Sequence, residues 1–194
     1  MPALLAPWRS PLARALHRNR SLVYARYAQL ATVRANGRPA NRTVVFRGFW
    51  QDGNQLKFIC DRRSQKVDQL VQQPWGELCW YFPKTREQFR LLGSLQVVTA
   101  TEPNETLQTA RRSQWHDLSD NARVQFAWPH PRAPRTDDAD FAPPPPNPLE
   151  PLGTFCLLLL DPVEVDHLEL RGEPQQRVHF CREADQWTTT EVNP

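Results

Sequence analysis

The sequence predicts a mainly β, α+β fold organised as a closed or split antiparallel barrel. Three observations carry this. Short stretches rich in β-branched and aromatic residues recur along most of the chain, as in "TVVF", "LKFIC" and "ELCWYF". Tight-turn residues separate many of them, which implies hairpins and so antiparallel pairing. Helical periodicity is confined to a few short segments, too few to cover both faces of a parallel sheet.

The elements follow in order. A first helix is expected after Ser10, with Pro11 in its first turn, Leu12, Ala13 and Leu16 on an apolar side and Arg14 and Arg18 in solvent. "YAQLATVRANGRPANRTVVFRGF" then reads as two strands joined at Asn36-Gly37, where both residues tolerate positive φ. Asp52-Gly53-Asn54 turns the chain into "LKFIC". In "RRSQKVDQLVQQP" the period becomes helical through Val67, Leu70 and Val71. Pro74 closes that helix, and Ser64 or Asp61 is placed to cap it. "ELCWYF" and "EQFRLLGSLQVVTA" are strands around a Pro83-Lys84-Thr85 turn, and Gly93 marks a bulge or a close backbone approach. "NETLQTARRSQWHDLSDNARVQFAW" is helical, with Asn104 or Thr101 as cap and a break near Ser119. Proline dominates about residues 128–151, a polyproline-rich surface loop within one domain spanning 1–194. "TFCLLLLDPVEVDHLEL", "QRVHFCREA" and "QWTTTEV" close the chain as strands.

Composition narrows the function classes. The chain has 194 residues, 40% hydrophobic and 23% charged, and a formal net charge of +3. That charge is small and scattered, which argues against a nucleic-acid partner. The longest apolar run, Phe155 to Leu160, is far short of a membrane span. The N-terminal stretch lacks a secretory signal's apolar core. It weakly resembles a transit peptide, and the plainer reading is an ordinary amphipathic helix. Cys60, Cys79, Cys156 and Cys181 show no CxxC spacing, so zinc is not expected. They read as buried reduced thiols in a cytoplasmic protein.

The stretch "NRTVVFRGF" carries an arginine near each end of a strand that otherwise favours burial. Alternation puts Arg42, Val44 and Phe46 on one face and Thr43, Val45 and Arg47 on the other. Lys66 lies in the first turn of the next helix, after Ser64 and Gln65. A helix start offers unpaired N–H groups and a positive dipole end, so these cations suit a bound phosphate. They also suit an ordinary solvated face.

The order of motifs resembles a family. "RTVVFR", a strand–turn–helix with "SQK", "FP…REQFRLLG" and a C-terminal "R…F.READQW…VNP" resemble pyridoxamine 5'-phosphate oxidase and its FMN-binding split-barrel relatives. The likeness covers about residues 10–128 and 151–194. It implies a homodimer of six-stranded antiparallel split barrels with FMN in each of two interface clefts. It further implies that Arg42, Thr43, Val44, Val45 and Arg47 lie on the first flavin-binding strand, and that Ile59 and Cys60 pass the flavin. Gln65 and Lys66 match a basic pair holding the phosphate, of which only the lysine survives. Gln88 matches a glutamine near the ring, and Arg177 an arginine reaching the flavin from the second subunit.

The departures concern the substrate half. Glu173 and Gln175 stand where the oxidase has a substrate-binding arginine and histidine. The upstream substrate residues fall near Glu105 and Thr109, with Arg111, Arg112 and Ser113 close by, and a flavin-flanking tryptophan corresponds to Leu168. The resemblance therefore implies a related FMN-binding protein, not the authentic oxidase, with a small-molecule substrate left open and neither nucleic acid nor membrane as partner. A non-catalytic flavin or haem binder, a structural dimer with an empty cleft and the oxidase itself are the alternatives. His167 and His179 are candidate acid–base groups, with strand histidines as the plainer reading. Asp166 cannot face His167 along a strand, so no dyad is expected. Trp115 and Trp128 are expected in core or dimer packing.

Overall fold

A computed structural model describes residues 5–194. Helix α1 (Arg9–Asn19) precedes β1 (Tyr27–Val33), β2 (Pro39–Val45) and β3 (Leu56–Asp61). Helix α2 (Gln65–Gln72), β4 (Trp75–Phe82), β5 (Glu87–Val98), α3 (Glu105–His116) and the single turn α4 (Asp120–Arg123) follow. After the proline-rich segment come β6 (Phe155–Glu169), β7 (Gln176–Glu183) and β8 (Gln186–Val192).

All strand pairs are antiparallel, in the order β2-β1-β4-β5-β6-β7-β8, and β3 also pairs with β6. The chain beyond β2 returns to β3. The Arg47 N–H donates to Lys57 O (2.9 Å), and the Lys57 N–H donates to Gly48 O (2.8 Å). Six strands, β2-β1-β4-β5-β6-β3, thus form a ring, as expected for the split barrel. Strand β6 is the shared stave. Phe155–Leu160 pair with β3, whereas Glu164–Glu169 pair with β7 on the same edge. Pro162, which has no N–H to donate, lies between the two partners.

In the β1–β2 turn Gly37 takes the expected positive φ (76°) but Asn36 does not; the Gly37 N–H donates to Arg34 O (2.8 Å), so the turn runs from Arg34 to Gly37. The register of β5 on β6 shifts at Leu92/Gly93, so the glycine marks a bulge. A Cβ on Gly93 would collide with the Asp161 carbonyl, with Asp161 C at 2.7 Å and Pro162 Cα at 2.8 Å. Asn104 caps α3, accepting hydrogen bonds from the N–H groups of Thr106 (2.9 Å) and Leu107 (3.2 Å). Two local expectations need correction. Helix α1 begins at Arg9, so Ser10 lies inside its first turn, and Ala15 rather than Ala13 joins Leu12 in the core.

The barrel interior packs Leu30, Phe58, Leu78, Trp80, Phe82, Phe89, Leu91 and Leu158. The run Phe155–Leu160 is apolar throughout because both its faces are covered. Cys156, Leu158 and Leu160 enter the barrel; Leu157 and Leu159 pack with Leu107 of α3, and Phe155 with Trp115 and Phe126.

Candidate functional site

Strand alternation divides β2. Val44 and Phe46 are buried inward, whereas Thr43, Val45 and Arg47 reach a cavity of about 600 Å³ on the outer side. Val44, Ile59, Asp61, Arg63 and Lys66 add to its wall. So do Ala122, Gln125 and Phe126, and Trp128–Thr136 with Phe141 close it from the proline-rich segment. That segment is therefore a strap over the mouth, not merely a surface excursion. Trp128, expected in core or dimer packing, lines this cavity and packs edge-on to Phe141 at 5.7 Å. Trp115 is in a core cluster as expected.

Asp61 and Arg63 fasten the strap. Arg63 pairs with the Asp61 carboxylate (Nη2–Oδ2 2.6 Å) and donates to the Trp128 carbonyl (Nη1–O 2.9 Å). The hydrogen bond to Asp61 raises the Arg63 pKa above its ordinary value. The Thr154 hydroxyl donates to Phe126 O at 2.7 Å and holds the segment's other end nearby.

One end of the cavity is cationic. Lys66 Nζ donates to Ser64 Oγ at 2.8 Å. Burial, with the nearby charge of Arg42 adding, holds the ammonium below the usual lysine range. Ser64 occupies the cap position of α2 without bonding back to a helix N–H, so the first-turn donors are not satisfied by that side chain. Arg132 of the strap donates to the Gln65 side chain. Its φ of 68° is a left-handed conformation that costs a non-glycine residue on the order of 1–2 kcal/mol. Among the described residues, no carboxylate lies within ion-pair distance of Arg47, Lys66 or Arg132. Arg135 is paired with Asp138 and lies 4.4 Å over the Phe141 ring.

The remaining expected residues lie elsewhere. Arg42 is outside the cavity wall. Its guanidinium donates to Leu30 O (3.0 Å), Thr32 Oγ1 (2.6 Å) and Gln69 Oε1 (3.1 Å), tying β1 to α2. Cys60 belongs to the barrel core. Gln88, Leu168 and Arg177 form one cross-strand row over β5, β6 and β7, away from the cavity. Arg177 is engaged by Asp166 (Nε–Oδ1 3.0 Å, Nη2–Oδ2 2.6 Å). Burial pushes Asp166 up, but the bonds and charges of Arg177 and Arg90 outweigh it and hold the carboxyl below its usual range.

His167 is buried, stacked on Phe89 at 4.0 Å and bonded to Glu87 at 2.9 Å, on the opposite face of β6 from Asp166. It does not reach the cavity. His179 is half-exposed, 3.6 Å from Glu164. Arg111, a candidate substrate cation, is buried and donates to Phe155 O (3.0 Å) and Leu152 O (2.6 Å), which is a structural role. Sequence reasoning did not single out Asp61, Arg63, Gln125, Arg132 and Arg135 as site residues. The proline-rich composition announced a loop but not the surface it would cover.

The family model described as pyridoxamine 5'-phosphate oxidase, FMN-binding domain, matches residues 5–99. The Arabidopsis thaliana pyridoxine/pyridoxamine 5'-phosphate oxidase 2 is 38% identical over 196 residues, covering 98% of each chain. A crystal structure of a pyridoxamine 5'-phosphate oxidase-related, FMN binding protein from Nostoc punctiforme is 60% identical. It superposes with a TM-score of 0.96 over 98% of this chain and 100% of that one. PhzG from Burkholderia lata shares the fold at 18% identity, with a TM-score of 0.77 over 98% of both chains. Near-complete coverage at these identities, on a six-strand ring with a cationic cavity beside β2, places the chain in the pyridoxamine 5'-phosphate oxidase family of FMN-binding domains.

Proposed function

We propose that the chain is an FMN-dependent oxidoreductase, acting as one unit over residues 1–194 and as a homodimer in the cytoplasm. The observation that carries the reading is the makeup of one cavity. Val45 and Ile59 offer an apolar wall, and Lys66, Arg132 and the start of α2 offer a cationic end. Its size is ordinary for a cofactor site. Two buried donors in its wall, Arg47 Nε and Trp128 Nε1, lack a hydrogen-bond partner, and a buried donor left alone is costly. A ligand with an anionic tail, a flat apolar face and acceptors at its edge fits this donor set, and FMN is such a ligand.

On this reading Lys66, Arg132 and the N–H groups of α2 hold the phosphate. Arg132 takes the place of the family's second phosphate cation, which here is Gln65. Arg42 adds charge from behind while holding α2 to β1. Thr43 to Arg47 run along the ring, Ile59 covers it, and Arg47 keeps a positive charge at its polar edge, which favours the electron-rich state. Bound FMN supplies two-electron transfer. Cys60 contributes through its place in β3, since its side chain belongs to the core. Gln88 and Arg177 serve the cofactor of the other subunit, which is why they lie away from the cavity of their own chain.

The test is the absorption spectrum and mass of the small molecule that copurifies, followed by turnover with a reductant. A haem spectrum, or flavin without turnover, would replace this reading by a binding function. Light scattering that shows a stable monomer at full flavin occupancy would remove the dimer. A second reading, oxidation of pyridoxamine 5'-phosphate, is favoured by the Arabidopsis relative's identity over nearly its whole length. Glu173 and Gln175 argue against it, because a carboxylate repels a phosphate. With flavin-loaded protein, pyridoxal 5'-phosphate formation at about one per second or faster would establish that second reading instead.

A further inference from the structure

Cys60 and Cys156 are far apart in the sequence but are direct partners in the β3–β6 register. Opposite residues on an antiparallel pair project to the same face. Both side chains indeed enter the same barrel core, Cys60 at 5% exposure and Cys156 at 0%. Antiparallel partners stand about 4.5 or 5.5 Å apart at Cα. Both separations fall inside the span of about 4.4–6.8 Å that a disulfide bridges. The other two thiols lack such a partner. Cys79 faces Gln29 and Arg90 across its ladders, and Cys181 faces Glu164 and Thr188.

We propose that Cys60 and Cys156 are a redox-active dithiol that closes to a reversible disulfide on exposure to a peroxide. The surroundings assign the roles. Burial raises both thiols, whereas the nearby cations Arg111 and Arg62 favour the thiolate at Cys156. Arg111 donates to Phe155 O, the residue before Cys156, and so sets a cation on that side of the pair; Cys156 is accordingly the attacking thiol and Cys60 the resolving thiol. The Cys156 sulfur attacks one peroxide oxygen; the O–O bond breaks, hydroxide leaves and a sulfenic acid forms. The Cys60 sulfur then displaces that oxygen, which leaves as water once the Cys60 proton is counted. In sum, two thiols and one hydrogen peroxide give one disulfide and two waters. The thiols lose two electrons and the peroxide gains them. The bond fastens β3 to β6 beside Ile59 and Asp61, which line the cavity, so a chemical change in the core is coupled to the wall of the site.

The experiment uses the full-length protein as purified. It is reduced, freed of reductant, exposed to hydrogen peroxide, then unfolded, alkylated and weighed. Two of the four thiols should escape alkylation, so the alkylated mass should fall below that of the reduced control by two alkyl groups and about 2 Da, and dithiothreitol should restore all four. Digestion without reductant should yield one linked pair carrying Cys60 and Cys156. A Cys79→Ser/Cys181→Ser variant, which leaves the core pair intact, should behave the same way, and Cys156→Ala should lose the linkage. Wild type that keeps four alkylatable thiols overturns the proposal. So does oxygen added to single cysteines without linkage, or a linkage through Cys79 or Cys181. The wild-type mapping decides the matter even if Cys156→Ala does not fold.

Discussion

Replacing Lys66 by methionine should move two properties in opposite directions. The ammonium is half-buried, and its pKa is lowered first by burial. A lysine lowered on folding opposes stability at neutral pH. The folded state gains relative to the unfolded one only as pH rises toward the ordinary lysine value of about 10.4. Methionine keeps most of the volume and removes the buried charge, so the cofactor-free chain should melt no lower than wild type near pH 7. Cofactor binding should suffer. A charge-assisted hydrogen bond to phosphate contributes about 1.5–3 kcal/mol, so Lys66→Met should weaken FMN roughly ten- to a hundredfold. Riboflavin, which lacks the phosphate, should bind both proteins alike. Flavin-fluorescence titrations with each ligand, and melting curves without ligand, make the comparison. If riboflavin weakens as much as FMN, or the apo variant melts several degrees lower, Lys66 is a structural residue and the phosphate lies elsewhere.

Arg132→Ala should also weaken FMN about tenfold or more without affecting riboflavin; equal FMN binding would move the second cation off the strap. Arg42→Ala removes donors to Leu30, Thr32 and Gln69 and should cost about 2–3 kcal/mol in urea unfolding, so any flavin loss should track stability; a fully stable variant contradicts that role. Gly93→Ala forces a Cβ into the Asp161–Pro162 backbone and should cost about 1–3 kcal/mol or more, with an unchanged unfolding midpoint as the contrary result. Asp166 is held below its usual range as described, and Glu87 likewise, burial raising it but bonds to His167 and Thr85 and nearby charge prevailing. Their stabilisation is complete above about pH 4 and is lost as pH falls through the lowered folded values, so Asp166→Asn should flatten the acid limb of a stability–pH curve.

Local sequence signals located most elements because each has a short-range cause. Gly37 supplies the positive-φ position of a turn, Asn104 a helix cap, and Gly93 a bulge where no Cβ fits. The face assignments on β2 were legible for the same reason, since alternation depends on the strand alone. Alternation could not supply the destination of a long side chain. Arg42 was placed on the correct face, but its guanidinium is taken by Thr32 and Gln69, from elements distant in sequence. The strap was harder still. Nothing within its prolines encodes contact with β3; Arg63 reaches that contact through the Trp128 carbonyl, a backbone atom every residue possesses. The pairing of Cys60 with Cys156 likewise required the β3–β6 register.

Strand β6 also sets an order of assembly. A ribosome releases β1 to β5 before the stave that joins β5 to β3 exists. Until then Leu56 and Phe58 have no inner neighbour at Leu158 and Leu160, and α3 has no Leu157 and Leu159 beneath it. Without β6 the ring cannot close, whatever β1 to β5 have formed. Because "FCLLLL" is covered on both faces only when β3, β5 and α3 are all in place, any state in which one of them is undocked exposes the chain's most apolar segment to water and to aggregation.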